Sequence, residues 1–200
     1  SPGSDNVGLG SSALQNFISA SKNVAIGRNA LLDNRDGFGS VAVGHEAGRH
    51  TTGSNNVFVG YETGKGGTTT APFSSGQNNV AVGYQALDAF TTAGDVVAIG
   101  SSAGTSVTTG GYHVLIGSSA GQSLTGGNYN IHIGYRAGRY NTGAYNTSLG
   151  TQALLGASGT STGGNNVAIG YNALTSLTTG TENVVIGKDA GDAMTTAVAN

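Results

Sequence analysis

The side chains that could do chemistry here are few: ten Asp and Glu, eight Lys and Arg, four His, eight Tyr and no Cys in 200 residues. The carboxylates fall singly, as Asp33, Asp36, Glu46, Glu62, Asp88, Asp95 and Glu182. None is matched by a second one at a spacing that would give a general acid–base pair, so no enzyme is expected. Without cysteine there is no disulfide framework and no thiolate chemistry. Tyr112, Tyr129 and Tyr145 follow one another at nearly equal intervals, with Tyr135 and Tyr140 between the last two, the densest aromatic group in a chain only 6% aromatic. Rings with polar tips suit sugar faces and protein surfaces. His113 and His132 could act as metal ligands or pack as a hydrogen-bonded pair, while His45 and His50 read as solvent residues at a turn. Threonines recur at Thr52, Thr92, Thr109, Thr125, Thr142, Thr162 and Thr179.

The elements that must position these residues are announced by repetition. A glycine closes each of eleven short apolar runs: Gly10, Gly27, Gly44, Gly60, Gly83, Gly100, Gly117, Gly134, Gly150, Gly170 and Gly187. The steps from one to the next are equal except in four places. The steps from Gly44 to Gly60 and from Gly134 to Gly150 are shorter by a single residue, and those from Gly60 to Gly83 and from Gly150 to Gly170 carry insertions. One residue before the glycine (position −1) is always aliphatic, and position −3 is Val or Ile in ten copies, Thr147 being the exception. That alternation and the β-branched chemistry indicate a strand. Position −2 is small in seven copies, position −4 is Asn in eight, position +3 is Ala in ten, and position +4 is always Leu or Gly. An apolar residue returns at +7 as Phe17, Phe90, Val107, Leu124, Leu177 and Met194.

The unit is too short for helix-pair repeats and lacks the leucine-rich skeleton. The expected fold is all-β, a parallel β-solenoid of eleven ~17-residue coils running through residues 1–200 as one domain. Each coil should carry two short strands, with the Val and Ile of positions −3 and −1 in the core, the +3 Ala beside them, and the small −2 residue on the other face. On that register Ile169→Asp would bury an unpaired charge. The Asn side chains, stacked coil upon coil, should bond one another or cap turn backbone. Insertions at 64–77 and 154–164 should emerge as loops, either as neutral drift or as binding loops. Tyr112, Tyr129 and Tyr145 share position −5, so they should form a ladder with ~5 Å steps. Such a ladder would either stack to stabilise the roll or present a sugar-binding strip with Tyr135 and Tyr140.

A net charge of −2 with scattered Lys and Arg offers no electrostatic footprint for nucleic acid. No apolar run approaches the ~18 residues that span a bilayer. No cofactor is expected. Neither end carries the polar cap that usually closes a solenoid, so the expectation is a segment of a longer protein or a chain whose ends stack on others.

The copies NNVAIGYNAL, KNVAIGRNAL and NNVAVGYQAL, the first and last followed by a Thr-Thr turn such as Thr178-Thr179-Gly180, resemble the head repeats of trimeric autotransporter adhesins. They are also similar to repeat regions of bacteriophage tail fibres and related surface proteins that end in a self-cleaving chaperone domain. The resemblance covers residues 5 to about 196. It implies a left-handed β-roll, three chains side by side, displayed outside the cell on a bacterial surface or a virion and used for attachment to a host glycan or protein. In such a trimer His113 and His132 would converge on the axis to hold a metal or an anion. The adhesin-head unit is shorter than the repeat found here, and no anchor or chaperone domain is expected within these 200 residues. Two other readings stand beside attachment: a structural spacer or self-assembling filament subunit, and an ice-binding solenoid built on the threonine ranks. Uncapped ends and a small-residue face together predict a chain that is not a compact monomer.

Overall fold

A computed structural model describes residues 3–158 and 161–199. It is a parallel β-solenoid with one strand per coil: β1 (Val7–Leu9), β2 (Val24–Ile26), β3 (Val41–Val43), β4 (Val57–Val59), β5 (Val80–Val82), β6 (Gly94–Ile99), β7 (Gly111–Ile116), β8 (Ile131–Ile133), β9 (Thr147–Leu149), β10 (Val167–Ile169) and β11 (Val184–Ile186). The strands form a single eleven-stranded sheet in chain order. Register follows the repeat, with each Val or Ile beside its counterpart: Val80 on Val97, Ala81 on Ala98, Val82 on Ile99. Among the described residues the expected second strand is absent; isolated bridges such as Thr51 to Ser74 and Asn141 to Ser161 take its place. The far side of each coil is a ladder of tight turns, in which left-handed residues at +2 and +4 prevent extended pairing. Leu31, Leu87, Leu154 and Leu174 at +4 have φ between 47° and 53°.

The expected register of faces is inverted. The residues at −2, Ala25, Ala42, Phe58, Ala81, Ala98, Leu115, His132, Ser148 and Ala168, are the ones fully buried, together with the +3 alanines from Ala30 through Ala173. The flanking aliphatics point outward. Val59, Ile99, Ile131 and Leu149 are 37–47% exposed, and Ile169 is half-buried on the outer face. The cause is the thinness of the roll, since sheet and turn ladder approach so closely that one interior position per strand must serve both. Large and small residues are therefore matched across the gap. Where −2 is Gly, Ala or Ser, +4 is usually Leu (Leu14, Leu31, Leu87, Leu154, Leu174); around Phe58, Leu115 and His132 it is Gly. A Cβ on Gly121 would lie 2.7 Å from Leu115 Cδ2, and one on Gly138 would overlap the His132 ring. Gly138→Ala should accordingly destabilise the fold by about 1–3 kcal/mol through overpacking. His132→Ala in the same chain should recover the overpacking share of that loss but not the strain of a side chain at φ 58°, a coupling that a double-mutant cycle in thermal melts will read.

The asparagine ladder at −4 fastens coil to coil. Asn56 Oδ1 accepts the main-chain N–H of Asn79 at 2.9 Å while Asn56 Nδ2 donates to the Gly76 carbonyl at 3.0 Å. Asn166 repeats the pattern toward Asn183 N–H and Gly180 O. All of these amides are fully buried, and each joins strand to turn across two coils, so they are satisfied polar groups in a core too narrow for bulkier apolar side chains. The closing glycines from Gly10 to Gly170 sit where no side chain fits: Gly100 has φ 132°, and its Cβ would stand 2.7 Å from the Gly117 carbonyl.

Candidate functional site

Position −5 immediately precedes the buried −4 residue, which is His113, Asn130 and Asn146 in these copies, and its residue is held in the left-handed region; Tyr112, Tyr129 and Tyr145 have φ of 58°, 58° and 60°. That backbone throws the side chain outward while the −4 side chain turns inward. The three rings stand 50–56% exposed and stack in sequence, Tyr112 on Tyr129 at 4.9 Å and 6°, and Tyr129 on Tyr145 at 5.3 Å and 14°. The expected ladder is present. Its inner ring faces cover each other in offset stacks, so it offers ring edges, partly open faces and a row of phenol hydroxyls one coil apart.

Tyr135 and Tyr140 do not join this rank. Each lies beneath an arginine of its own coil, Arg136 at 4.9 Å from the Tyr135 centroid and Arg139 at 4.8 Å from that of Tyr140. A second rank runs at +1: His45 stacks on Tyr61 at 4.9 Å and Tyr61 on Tyr84 at 5.7 Å. It was legible in principle, since Tyr or His follows the closing glycine in five copies. Between the two ranks lies the aliphatic face of the sheet. Read across a strand, positions −5, −3, −1 and +1 all point outward, so Val and Ile form a stripe bordered by aromatic columns.

The histidines differ from expectation in three respects. His113 and His132 face into the roll of their own chain, at 1% and 0% exposure, which corrects the expectation that copies would bring them together on an axis. His132 Nδ1 pairs with Ser148 Oγ at 2.8 Å and His113 Nδ1 accepts the Asn130 N–H at 3.3 Å, while both Nε2 atoms are buried without a partner. Burial lowers both, His113 to about 4 and His132 to about 3, His113 adding to the effect on His132. His50 is not a solvent residue: it is 7% exposed, with Nδ1 2.7 Å from Asp33 Oδ2, because Asp33 and His50 occupy the same place on adjacent coils. His45 is half-buried in its aromatic stack. Among the described residues no three His, Asp or Glu cluster as metal ligands, and no pocket indents the surface.

The threonines spend much of their hydroxyl chemistry on the fold. Thr91 Oγ1 donates to Thr108 O and Thr108 Oγ1 to Thr125 O, both at 2.8 Å, and Thr142 Oγ1 donates to Ser161 O at 3.1 Å. The outer rank of Thr92, Thr109, Thr142, Thr162 and Thr179 is broken at Gly126. The 64–77 insertion packs Gly67 N–H on Phe90 O and Thr68 on Ser74. Residues 159 and 160 of the second insertion lie outside the described residues. No helix among the described residues is long and apolar enough to cross a membrane. Models of known families, curated proteins and solved structures contain no match to this chain.

Proposed function

We propose that this chain is a non-enzymatic repeat segment of an extracellular fibre, carried on a bacterial surface or a virion. In this reading three copies of a left-handed roll associate side by side, and exposed tyrosines contact a host-surface glycan or protein. The observation that carries the association is the outward stripe of Val, Ile and Leu along eleven strands. At the strand spacing it is roughly 50 Å long, longer than the apolar patches soluble monomers ordinarily expose. No Lys, Arg, Asp or Glu interrupts positions −3 or −1 in any copy, so the occupant is apolar and of the same length, properties that another copy of this chain supplies. The resemblance to adhesin heads and tail fibres favours three copies and attachment.

Attachment rests on the tyrosine rank, which three chains would present three times, multiplying a weak contact. Y112A/Y129A/Y145A should bind intact host cells at least tenfold more weakly with an unaltered circular dichroism spectrum; undiminished adhesion would remove the rank from the binding surface. One observation favours the alternative of a structural spacer or filament: the rings already stack on one another, which stabilises the roll without any ligand.

A further inference from the structure

The electrostatics of the roll single out one coil. From Val96 to Thr181 the chain has no Asp, Glu or Lys, and its only charged side chains are Arg136 and Arg139, on the turn after Gly134. They occupy positions +2 and +5, which elsewhere hold an acid and a base in contact. Glu46 and Arg49 meet at 2.7 Å after Gly44, and Glu62 and Lys65 at 3.5 Å after Gly60, with Asp88 3.8 Å from Lys65 on the next coil. The backbone of the turn is the same in both places, Arg49 N–H donating to Glu46 O at 3.2 Å and Arg139 N–H to Arg136 O at 3.3 Å. The coil after Gly134 thus sets two cations where its relatives neutralise one charge with the other. The adjacent coils add no carboxylate, offering Ser119, Gln122, Gln152 and Leu155 at the same positions.

Both guanidiniums are also held in place. Arg139 Nε donates to Gln122 Oε1 at 2.7 Å, which fixes the plane and leaves its Nη groups free, and each guanidinium lies over a tyrosine ring. No carboxylate comes within ion-pair distance of either among the described residues. Guanidiniums oriented in this way on half-buried arginines, without a counter-charge, are suited to an oxyanion, which they grip through paired N–H donors.

We infer that Arg136 and Arg139 form an anion-binding site for an acidic saccharide, gripping its carboxylate or sulfate ester. The inference rests on the attachment reading and gives its ligand a chemical class. The test is retention of the purified chain by polygalacturonate, dextran sulfate and neutral dextran at low and at physiological salt. The carboxylated and sulfated polymers separate the two oxyanions. Arg136→Gln with Arg139→Gln is a conservative variant, because Gln already stands at +2 in Gln85 and Gln152 and at +5 in Gln122. It should weaken binding of one acidic polymer about tenfold or more, as expected for lost charge-assisted hydrogen bonds, and leave neutral dextran unbound as before. Arg136→Glu should rebuild the Glu46–Arg49 arrangement, abolishing binding without lowering the melting temperature. Equal binding by the Gln variant, or no retention on either acidic polymer at low salt, overturns the inference. If the Arg variants bind unchanged while Y112A/Y129A/Y145A loses host-cell adhesion, the anion site fails and the attachment reading survives. If the Arg variants lose the acidic polymer while the Tyr variant adheres normally, the anion site stands and the tyrosine rank is not the adhesive surface.

Discussion

Ala168→Asp should prevent cooperative folding of the coils around β10, whereas Ile169→Asp, one residue along the same strand, should leave the roll folded. Ala168 is fully buried in one apolar cluster with Ala173, Leu174 and Leu177. An unpaired charge there costs several kcal/mol, a large share of the stability of a domain this size. The larger Asp side chain would also have to displace the Leu174 turn, whose left-handed backbone cannot retreat without breaking the Leu174 N–H bond to Ala190 O. Ile169 instead projects from the outer face, where a carboxylate meets water in a lone chain. Its substitution should act on association: the variant should keep a native circular dichroism spectrum and associate more weakly than the parent chain. Comparable melting losses for the two variants would show that the faces are assigned wrongly.

Acid should loosen the roll well before its carboxylates titrate. His113 and His132 have folded values of about 4 and about 3, below the 6.5 of the free side chain. Between those values the unfolded chain binds protons that the folded chain refuses, so stability is intact above about pH 7 and falls as pH drops through 6.5 toward 4 and 3. At about 1.4 kcal/mol per pH unit and group, the two together remove several kcal/mol by pH 4. The groups facing the rings cannot offset this, because Ser148, the Asn130 N–H, Leu115, Gly121 and Gly138 are uncharged, and no carboxylate occurs from Val96 to Thr181. Two other shifted carboxylates act elsewhere. Burial raises Asp88, which favours the folded state slightly as pH falls; burial also opposes the Glu46 shift, but its Arg49 contact prevails, and the resulting stabilisation disappears only below the ordinary carboxylate range. His113→Asn with His132→Leu, residues the repeat already uses at those positions beside glycine, should flatten the melting temperature between pH 7 and 4. A slope unchanged by the double variant would assign the acid sensitivity to other groups.

An alternating pattern carries period and register but not the identity of the inner face. The period, the parallel register, the asparagine ladder and the tyrosine rank all follow from residues recurring at fixed offsets, because stacking copies equivalent positions onto one another. Alternation of Val, Ala and Ile separates two faces of a strand without naming the inner one. Assigning the larger aliphatics to the core is sound for a wide sandwich and fails in a roll whose cavity admits an alanine. The deciding signal was present in the reciprocal sizes at −2 and +4: Gly48 and Gly64 pack beside Phe58, Gly104 and Gly121 beside Leu115, and Gly138 beside His132, whereas Leu31, Leu87 and Leu174 belong to coils with Ala at −2. Two residues that trade volume must touch, and both therefore lie inside. The Asp33–His50 pair was legible in the same way, by setting one coil over the next, while the cation–π contacts of Arg136 and Arg139 depend on side-chain directions that spacing does not carry.

The proposal that copies of the chain cover the outward aliphatic stripe is read most directly by sedimentation equilibrium at micromolar concentration. Three associated chains predict a species of three times the 19.7 kDa of a single one. That species should dissociate when Ile169→Asp is combined with the same change at Ile99 and Ile133. A stable 19.7 kDa monomer at that concentration, with the stripe intact, would contradict the account.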